Sequence, residues 1–177
     1  YCLRKKGIYL HMDVMSSFNG WTAAVHKDTD PQGKVHIYFD DKYRNNWKAA
    51  ADFLLNHVNP YTGTKLLDDP QLIAITCYNE QDVLPSFLAE LSPYWQKSRN
   101  PENPSVVPTL SLDLIGSGTT ESRAAITFIL DAVNGMADFY ISNLRGMGYR
   151  GFITNWDMSS RLIDIPGHAR MDATAMH

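Results

Sequence analysis

The sequence is poor in cysteine, in glutamate and in clustered basic residues. Its two cysteines, Cys2 and Cys77, are too few and too far apart for a disulfide scaffold or a cysteine-based metal site. The longest basic run is Arg4 to Lys6 and the formal net charge is -3, so nothing is built to attract a nucleic-acid backbone. No hydrophobic run is expected to be long enough to cross a membrane. We therefore expect a soluble protein with neither a nucleic-acid nor a membrane partner.

The length and composition are those of one globular domain. A chain of 177 residues, 44% of them hydrophobic and 20% charged, can bury a core, which excludes disordered, collagen-like and coiled-coil proteins. Strand-like segments lie close to both termini, without an initiator methionine or a polar tail. We therefore expect a single domain, residues 1–177, that is truncated at both ends and in which a signal peptide cannot be recognised.

Apolar runs typical of buried strands alternate with segments of helical periodicity. Strands that are apolar on both faces and alternate with helices predict a parallel sheet in an α/β protein. Two architectures remain open, a doubly wound sheet and an arc of a (β/α)8 barrel, because a closed barrel typically takes about 250 residues. In chain order we expect a strand over 8–14, a long loop over 16–40, a helix over 41–58, a strand over 72–78, a short helical piece over 87–95, a helix over 120–145, a strand over 149–154 and a strand-like run over 172–176.

Candidate site residues follow the apolar runs, because ligands of α/β proteins bind at the carboxyl ends of the strands. Glu80 is the most informative of them, since a carboxyl group at the mouth of a buried strand, close to apolar walls, is suited to general acid catalysis. The competing interpretation is that Glu80 caps the next helix or forms a surface salt bridge. The candidates are Asp13, Asn79, Glu80, Asn155, Trp156, Asp157 and His177.

Three features in a fixed order carry a family resemblance. The turn 59–63 (Asn-Pro-Tyr-Thr-Gly), the breaker 68–70 (Asp-Asp-Pro) and a buried strand that ends in Asn79 and Glu80 resemble the corresponding stretch of cellulase-like, family 5-like proteins in clan A of the glycoside hydrolases. The resemblance implies a partial (β/α)8 TIM barrel, about strands three to six, with elaborated loops. It is strongest from residue 59 to residue 80 and loose beyond residue 140.

The resemblance also implies a function for individual residues. It implies a retaining glycoside hydrolase that cleaves O-glycosidic bonds of a poly- or oligosaccharide, with Glu80 as the acid/base and Asn79 beside the sugar 2-hydroxyl. Asn155 and Trp156 then lie on the loop after the fifth strand, and His177 ends the sixth. No metal and no organic cofactor is implied, and a secreted or periplasmic location is expected.

Retaining hydrolysis needs a second carboxyl group about 5 to 5.5 Å from the first. The other glutamates, Glu90, Glu102 and Glu121, fall in a helical piece, in a loop and at a helix start. We therefore expect the nucleophile to lie outside this fragment and the fragment alone to be inactive. A non-catalytic carbohydrate-binding barrel protein is the alternative. A doubly wound hydrolase of another mechanism is a further one, but no nucleophile elbow is visible.

Other side chains have both a functional and a packing interpretation. Trp21 and Trp156 can stack on sugar rings or pack within loops, whereas Trp47 and Trp95 have the spacing of core residues. Asp13 and Asp157 are more often hydroxyl-binding or turn-capping residues than catalytic ones. A metal site at His11 and Asp13 is not favoured, because the other histidines lack ligand spacing. Cys77 is expected in the core.

Overall fold

A computed structural model describes residues 2–15, 33–81, 85–156 and 165–174. For residues 85 and 86 it describes the backbone only. Helices and parallel strands alternate along these residues, as the sequence predicted for an α/β protein. Short 3-10 helices lie at Leu66–Asp68 and Pro104–Val106. In chain order the elements are α1 (Cys2–Lys5), β1 (Leu10–Met15), α2 (Gly33–His36), α3 (Asp41–Asn56), β2 (Leu72–Tyr78), α4 (Pro85–Arg99), α5 (Leu112–Gly116), α6 (Thr120–Gly146), β3 (Phe152–Thr154) and α7 (Ile165–His168).

The strands form a parallel sheet in the order β1-β2-β3. The bounds predicted for β2 are confirmed, whereas β1 runs one residue further than predicted and β3 starts three residues later. β3 is short because the Arg145 guanidinium donates to the carbonyl oxygens of Tyr149 and Gly151 at 3.0 and 2.9 Å, which ties this segment to the end of α6.

Local signals set the limits of α3. The Asp40 carboxylate caps its start by accepting a hydrogen bond of 2.8 Å from the Lys42 N–H, as a residue at this position is expected to do. The helix ends at Asn56, slightly earlier than predicted, and Val58 pairs instead with Lys65 in an isolated bridge. The predicted helix is therefore confirmed.

Among the described residues, α6 is long and apolar enough to cross a membrane, which corrects the expectation that no run is long enough. A core helix passes the same test of length and composition, so this is weak evidence for a membrane. The fully buried Ile129, Val133 and Tyr140 recur along one side of α6, whereas Asp131 and Asp138 are exposed. This division is typical of a helix that covers a sheet.

One face of the sheet is covered by helices. Ile75, Cys77 and Ile153 point to this face and are fully buried. Trp47 of α3 donates from Nε1 to the Cys77 carbonyl oxygen at 2.8 Å, and the Tyr140 ring of α6 lies 4.7 Å from the Trp47 ring, measured between ring centres. The core therefore lies between the sheet and these two helices, with Trp47 and Cys77 inside it as predicted.

The opposite face is only partly exposed among the described residues, since Thr76, Tyr78 and Thr154 on it are 1–2% exposed. His11 and Asp13 are exposed, and Phe152 is 56% exposed. They share this face with Thr76, because Asp13 is the register partner of Thr76 and the His11 Nε2 lies 2.8 Å from the Thr76 Oγ1. At the buried end of this face, Lys34 of α2 lies 5.8 Å from the centre of the Tyr78 ring, so α2 contacts this side of the sheet.

The predicted strand-like run over 172–176 is not a strand in its described part, residues 172–174, and the remainder lies outside the described residues. Asp172 nevertheless lies beside β3. Its backbone N–H donates to the Ile153 carbonyl oxygen at 3.1 Å, and its carboxylate accepts from the Ile153 N–H at 2.9 Å. An ion pair with Arg145 holds Asp172 in this place.

Candidate functional site

Two strand ends share an uncommon backbone conformation. Glu80, two residues after β2, has a φ of 54°, and Trp156, two residues after β3, has a φ of 56°. Residues with a side chain rarely adopt this left-handed conformation, and such residues cluster at functional sites where surrounding contacts hold them. The edge of the sheet that the sequence singled out is therefore also unusual in its backbone.

Asn79 and Glu80 leave the sheet at the carboxyl end of β2. The Asn79 N–H donates to the Met15 carbonyl oxygen at 2.8 Å, which continues the pairing of β1 with β2 by one residue. The Glu80 side chain is 29% exposed, although the strand before it is mostly buried. This side chain is therefore partly accessible while hydrogen bonds hold the backbone beside it.

A buried lysine lies beside Glu80. Lys34 of α2 has a side chain that is 1% exposed, and its Nζ lies 3.9 Å from the Glu80 Oε2. The same Nζ donates a hydrogen bond of 3.1 Å to the Glu80 carbonyl oxygen. It also lies 5.8 Å from the centre of the Tyr78 ring, within the range of a cation–π interaction. A buried ammonium group needs such partners, because removing it from water costs several kcal/mol.

Gln81 is the centre of a buried hydrogen-bond network. Its Nε2 donates to the Lys34 carbonyl oxygen at 3.1 Å, and its own carbonyl oxygen accepts from the Tyr38 hydroxyl at 3.3 Å. Its Oε1 accepts two hydrogen bonds of 2.8 Å, from the Tyr140 hydroxyl and from the Asn155 Nδ2. The network therefore ties α2, α6 and the end of β3 to the residue that follows the candidate acid.

Asn155 and Trp156 lie in the core rather than on an exposed loop, since both are fully buried. The Asn155 Oδ1 accepts from the Tyr78 N–H at 2.7 Å and so joins the ends of β3 and β2. The Trp156 Nε1 donates to the Tyr38 hydroxyl at 2.9 Å. The structure thus brings both residues to the edge that carries Glu80, as supports of the network. Their contact with a sugar stays a prediction.

Burial shifts the pKa of two groups next to this network. It raises the pKa of the Tyr140 hydroxyl well above its ordinary value, although the hydrogen bond to Gln81 opposes the shift. It also raises the pKa of the Cys77 thiol, and the negative charge of Asp172 adds to the effect. Both groups are therefore neutral at pH 7, and the Tyr140 hydroxyl keeps the proton that it donates to Gln81.

Asp13 lies inside β1 and not after it, because β1 continues to Met15. The expectation that Asp13 follows the strand end is therefore wrong. Its side chain is exposed on the face of the sheet that it shares with its register partner Thr76. A role for Asp13 in binding hydroxyl groups stays a prediction. The candidates Trp21, Asp157 and His177 lie outside the described residues.

The other glutamates lie away from the strand ends, as the sequence predicted. Glu90 is in α4, and Glu102 is exposed in the loop after it. Glu121 is in the first turn of α6, where it pairs with Arg99 at 3.3 Å. Of the four glutamates, Glu80 alone follows a described strand. Within the described ranges, no group of three or more His, Cys, Asp or Glu side chains is arranged to hold a metal ion.

Sequence reasoning missed Lys34, Tyr38, Gln81 and Tyr140. Lys34 and Tyr38 fall in the segment that was predicted to be a long functional loop, but nothing in the sequence distinguishes a lysine with a buried end from one on the surface. Gln81 is adjacent to Glu80, which is the one available signal for it. Tyr140 has the spacing of a core residue of α6, and its polar contact appears only in three dimensions.

No family model, no curated protein and no solved structure matches this chain. The candidate site is therefore defined by its own geometry. The likeness to cellulase-like proteins stays a prediction that rests on residues 59–80.

Proposed function

We propose that this chain is part of the catalytic domain of a retaining glycoside hydrolase, which cleaves O-glycosidic bonds of a poly- or oligosaccharide with Glu80 as the acid/base. The observation that carries the proposal is the position of Glu80. Its side chain is 29% exposed at the carboxyl end of a buried strand, on a backbone in the left-handed conformation. The carboxyl ends of strands are where α/β proteins place their reacting groups.

The sheet supports an arc of a (β/α)8 barrel as the architecture. β1, β2 and β3 are parallel and adjacent in chain order. α3 and α6 cover the face that carries Ile75 and Cys77, whereas the face of His11 is partly exposed among the described residues and carries the buried Thr76 and Thr154. A barrel carries its helices on the outside and fills its interior with side chains, which is consistent with this division. By the resemblance, β1 to β3 are the third to fifth strands of that barrel.

In the proposed reaction Glu80 acts twice. Its protonated carboxyl group gives a proton to the glycosidic oxygen as the bond from that oxygen to the anomeric carbon breaks, and the nucleophilic carboxylate forms a glycosyl ester with this carbon. The Glu80 carboxylate then takes a proton from water, whose oxygen displaces the ester carboxylate and releases the sugar with retained configuration. Asn79 holds the sugar 2-hydroxyl beside the reacting carbon.

The proposal places the nucleophile outside residues 1–177. None of Glu90, Glu102 and Glu121 follows a described strand, and the two carboxyl groups of a retaining enzyme must face each other about 5 to 5.5 Å apart. The 177-residue chain alone should therefore bind sugar without turning it over. A retaining rate measured on this chain would contradict the placement of the nucleophile.

The test compares Glu80→Gln with Glu102→Gln in the protein translated from the complete reading frame that contains this chain. Glu102 is an exposed loop residue, so the same substitution there changes the charge without touching the candidate site. Both variants are assayed on β-glucan, mannan and galactoside oligosaccharides. We expect Glu80→Gln to lower kcat by about 10²- to 10⁴-fold, and Glu102→Gln to leave it unchanged.

Azide separates the loss of an acid/base from a general loss of activity. It attacks a glycosyl ester without needing a base, so on an aryl glycoside with a good leaving group it should restore the turnover of Glu80→Gln and yield a glycosyl azide of retained configuration. Turnover of Glu80→Gln equal to that of the wild type would exclude Glu80 as the acid/base. A wild-type protein that binds these sugars without turnover would favour the alternative, a non-catalytic carbohydrate-binding barrel protein.

A further inference from the structure

Two crossed hydrogen bonds join Lys34 to the corner that carries Glu80. The Lys34 Nζ donates to the Glu80 carbonyl oxygen at 3.1 Å, and the Gln81 Nε2 donates to the Lys34 carbonyl oxygen at 3.1 Å. Each side chain thus binds the backbone of the other segment. Because the Lys34 side chain is 1% exposed, its partners must replace the water that it has lost. The position of Nζ is therefore fixed by the protein on both sides.

The bond from Lys34 acts on the left-handed part of the chain. The φ of Glu80 is 54°, a conformation that a glutamate keeps only when its surroundings hold it there. Lys34 fixes the peptide group between Glu80 and Gln81, and the Tyr38 hydroxyl fixes the next one through the Gln81 carbonyl oxygen at 3.3 Å. Because the Cα–Cβ direction follows the backbone, these bonds set the direction in which the Glu80 side chain leaves the main chain.

The charge of Lys34 acts on the carboxylate itself. Nζ lies 3.9 Å from the Glu80 Oε2, a distance of ionic attraction and not of a hydrogen bond. The Glu80 side chain is still 29% exposed, so this attraction does not bury it. One buried ammonium group therefore restrains both the backbone and the side chain of the same residue.

We propose that Lys34 is the positioning residue of Glu80, holding its backbone through the carbonyl oxygen and its carboxylate through the ammonium charge. This rests on the proposed function in that the positioned carboxylate is the acid/base group. An acid must come within hydrogen-bond distance of the glycosidic oxygen, and a displacement of 1 Å costs about 100-fold in rate. Because Lys34 touches no substrate in this role, its loss acts on kcat and leaves KM nearly unchanged.

The experiment compares Lys34→Met, Lys34→Arg and Lys65→Met in the protein translated from the complete reading frame. Lys65 is the matched control, since its exposed Nζ also donates one hydrogen bond, to the Asn56 Oδ1 at 2.9 Å. We expect Lys34→Met to lower kcat by about 100-fold with KM within about threefold of the wild type. Lys34→Arg keeps the charge and the hydrogen-bond donors, so its kcat should be at least about tenfold higher than that of Lys34→Met. The kcat of Lys65→Met should match that of the wild type.

A second readout needs no substrate. Three-bond couplings in isotope-labelled protein report the φ of Glu80, which should leave the left-handed region in Lys34→Met and stay there in Lys65→Met. Wild-type couplings in a folded Lys34→Met, or a wild-type kcat, would overturn the proposal. Absence of turnover in the wild type would count against the hydrolase proposal alone, because the couplings still decide whether Lys34 sets the position of Glu80.

A Lys34→Met variant that does not fold is replaced by Lys34→Gln. Glutamine removes the positive charge, whereas arginine keeps it as a guanidinium group. The comparison of these two variants therefore tests the effect of the charge at position 34. A kcat at least about tenfold lower for Lys34→Gln than for Lys34→Arg, at equal KM, supports the positioning role. Equal kcat values for the two folded variants overturn it.

Discussion

Replacing Gln81 by methionine should destabilise the fold strongly, because it leaves three buried polar groups without their partner. The length of the side chain is kept, but the Lys34 carbonyl oxygen, the Tyr140 hydroxyl and the Asn155 amide each lose a hydrogen bond. An unpaired buried group costs about 1–3 kcal/mol, so three of them amount to about 3–9 kcal/mol. That is a large share of the about 5–15 kcal/mol that stabilises a typical domain.

Urea unfolding followed by tryptophan fluorescence measures this loss. The matched control is Gln96→Met, which removes one partly buried hydrogen bond of 2.7 Å to the Val107 carbonyl oxygen and should cost about 1 kcal/mol. In Gln81→Met the Tyr140 hydroxyl no longer has its acceptor, so adding Tyr140→Phe should cost at least about 1 kcal/mol less than it does in the wild type. The reasoning would be refuted by additive effects, or by equal losses for Gln81→Met and Gln96→Met.

Four further predictions follow from the backbone and from burial. Burial raises the pKa of Tyr149 to about 12, so the stability that its neutral form gives is complete below about pH 10 and is lost as the pH rises toward 12. Tyr149→Phe should therefore flatten the decline of the free energy of unfolding between these pH values. An unchanged decline in this variant would contradict the prediction. Gly135→Ala in α6, where an added Cβ meets nothing within 4 Å, should stabilise by about 0.5–1 kcal/mol in urea unfolding. Gly151→Ala should destabilise in the same assay, since its Cβ would lie 2.7 Å from a backbone oxygen. Glu80 has a left-handed backbone, so Glu80→Gly should be more stable than Glu80→Ala by about 1 kcal/mol. In helix α6 the order should be reversed, with Glu121→Ala more stable than Glu121→Gly. The same order at both positions would refute the left-handed backbone of Glu80.

Signals close together in the sequence predicted the elements that frame the site. Asp40 caps α3 because a short acidic side chain can reach the free N–H groups of a first helical turn, and this requirement is visible in the sequence. The bounds of β2 were also predictable from a local signal, because its continuous apolar run is typical of a buried strand. The predicted start of β3 was wrong because Arg145, at the end of α6, donates hydrogen bonds to the carbonyl oxygens of residues 149 and 151. No local pattern announces that competition.

The network around Gln81 was beyond sequence reasoning because its members are distant in the chain. Gln81 binds Lys34 across 47 positions, Tyr140 across 59 and Asn155 across 74. Each of these side chains has an ordinary alternative as a surface or core residue, so residue type alone does not bring them together. The packing of α2 and α6 against the strand ends is what makes them meet.

The contacts of Glu80 argue against both of the purely structural explanations that the sequence left open. The φ of Glu80 is 54°, whereas a residue that caps the start of a helix typically has an extended backbone, so Glu80 does not have the conformation of such a cap. Its ion-pair partner is 1% exposed, so the pair is not a surface salt bridge either. A surface pair requires neither a left-handed backbone nor a buried ammonium group, and each of these is costly for the fold. A side chain that such a cation holds and that is still 29% exposed is both fixed and reachable, as the acid/base role that we propose for Glu80 requires.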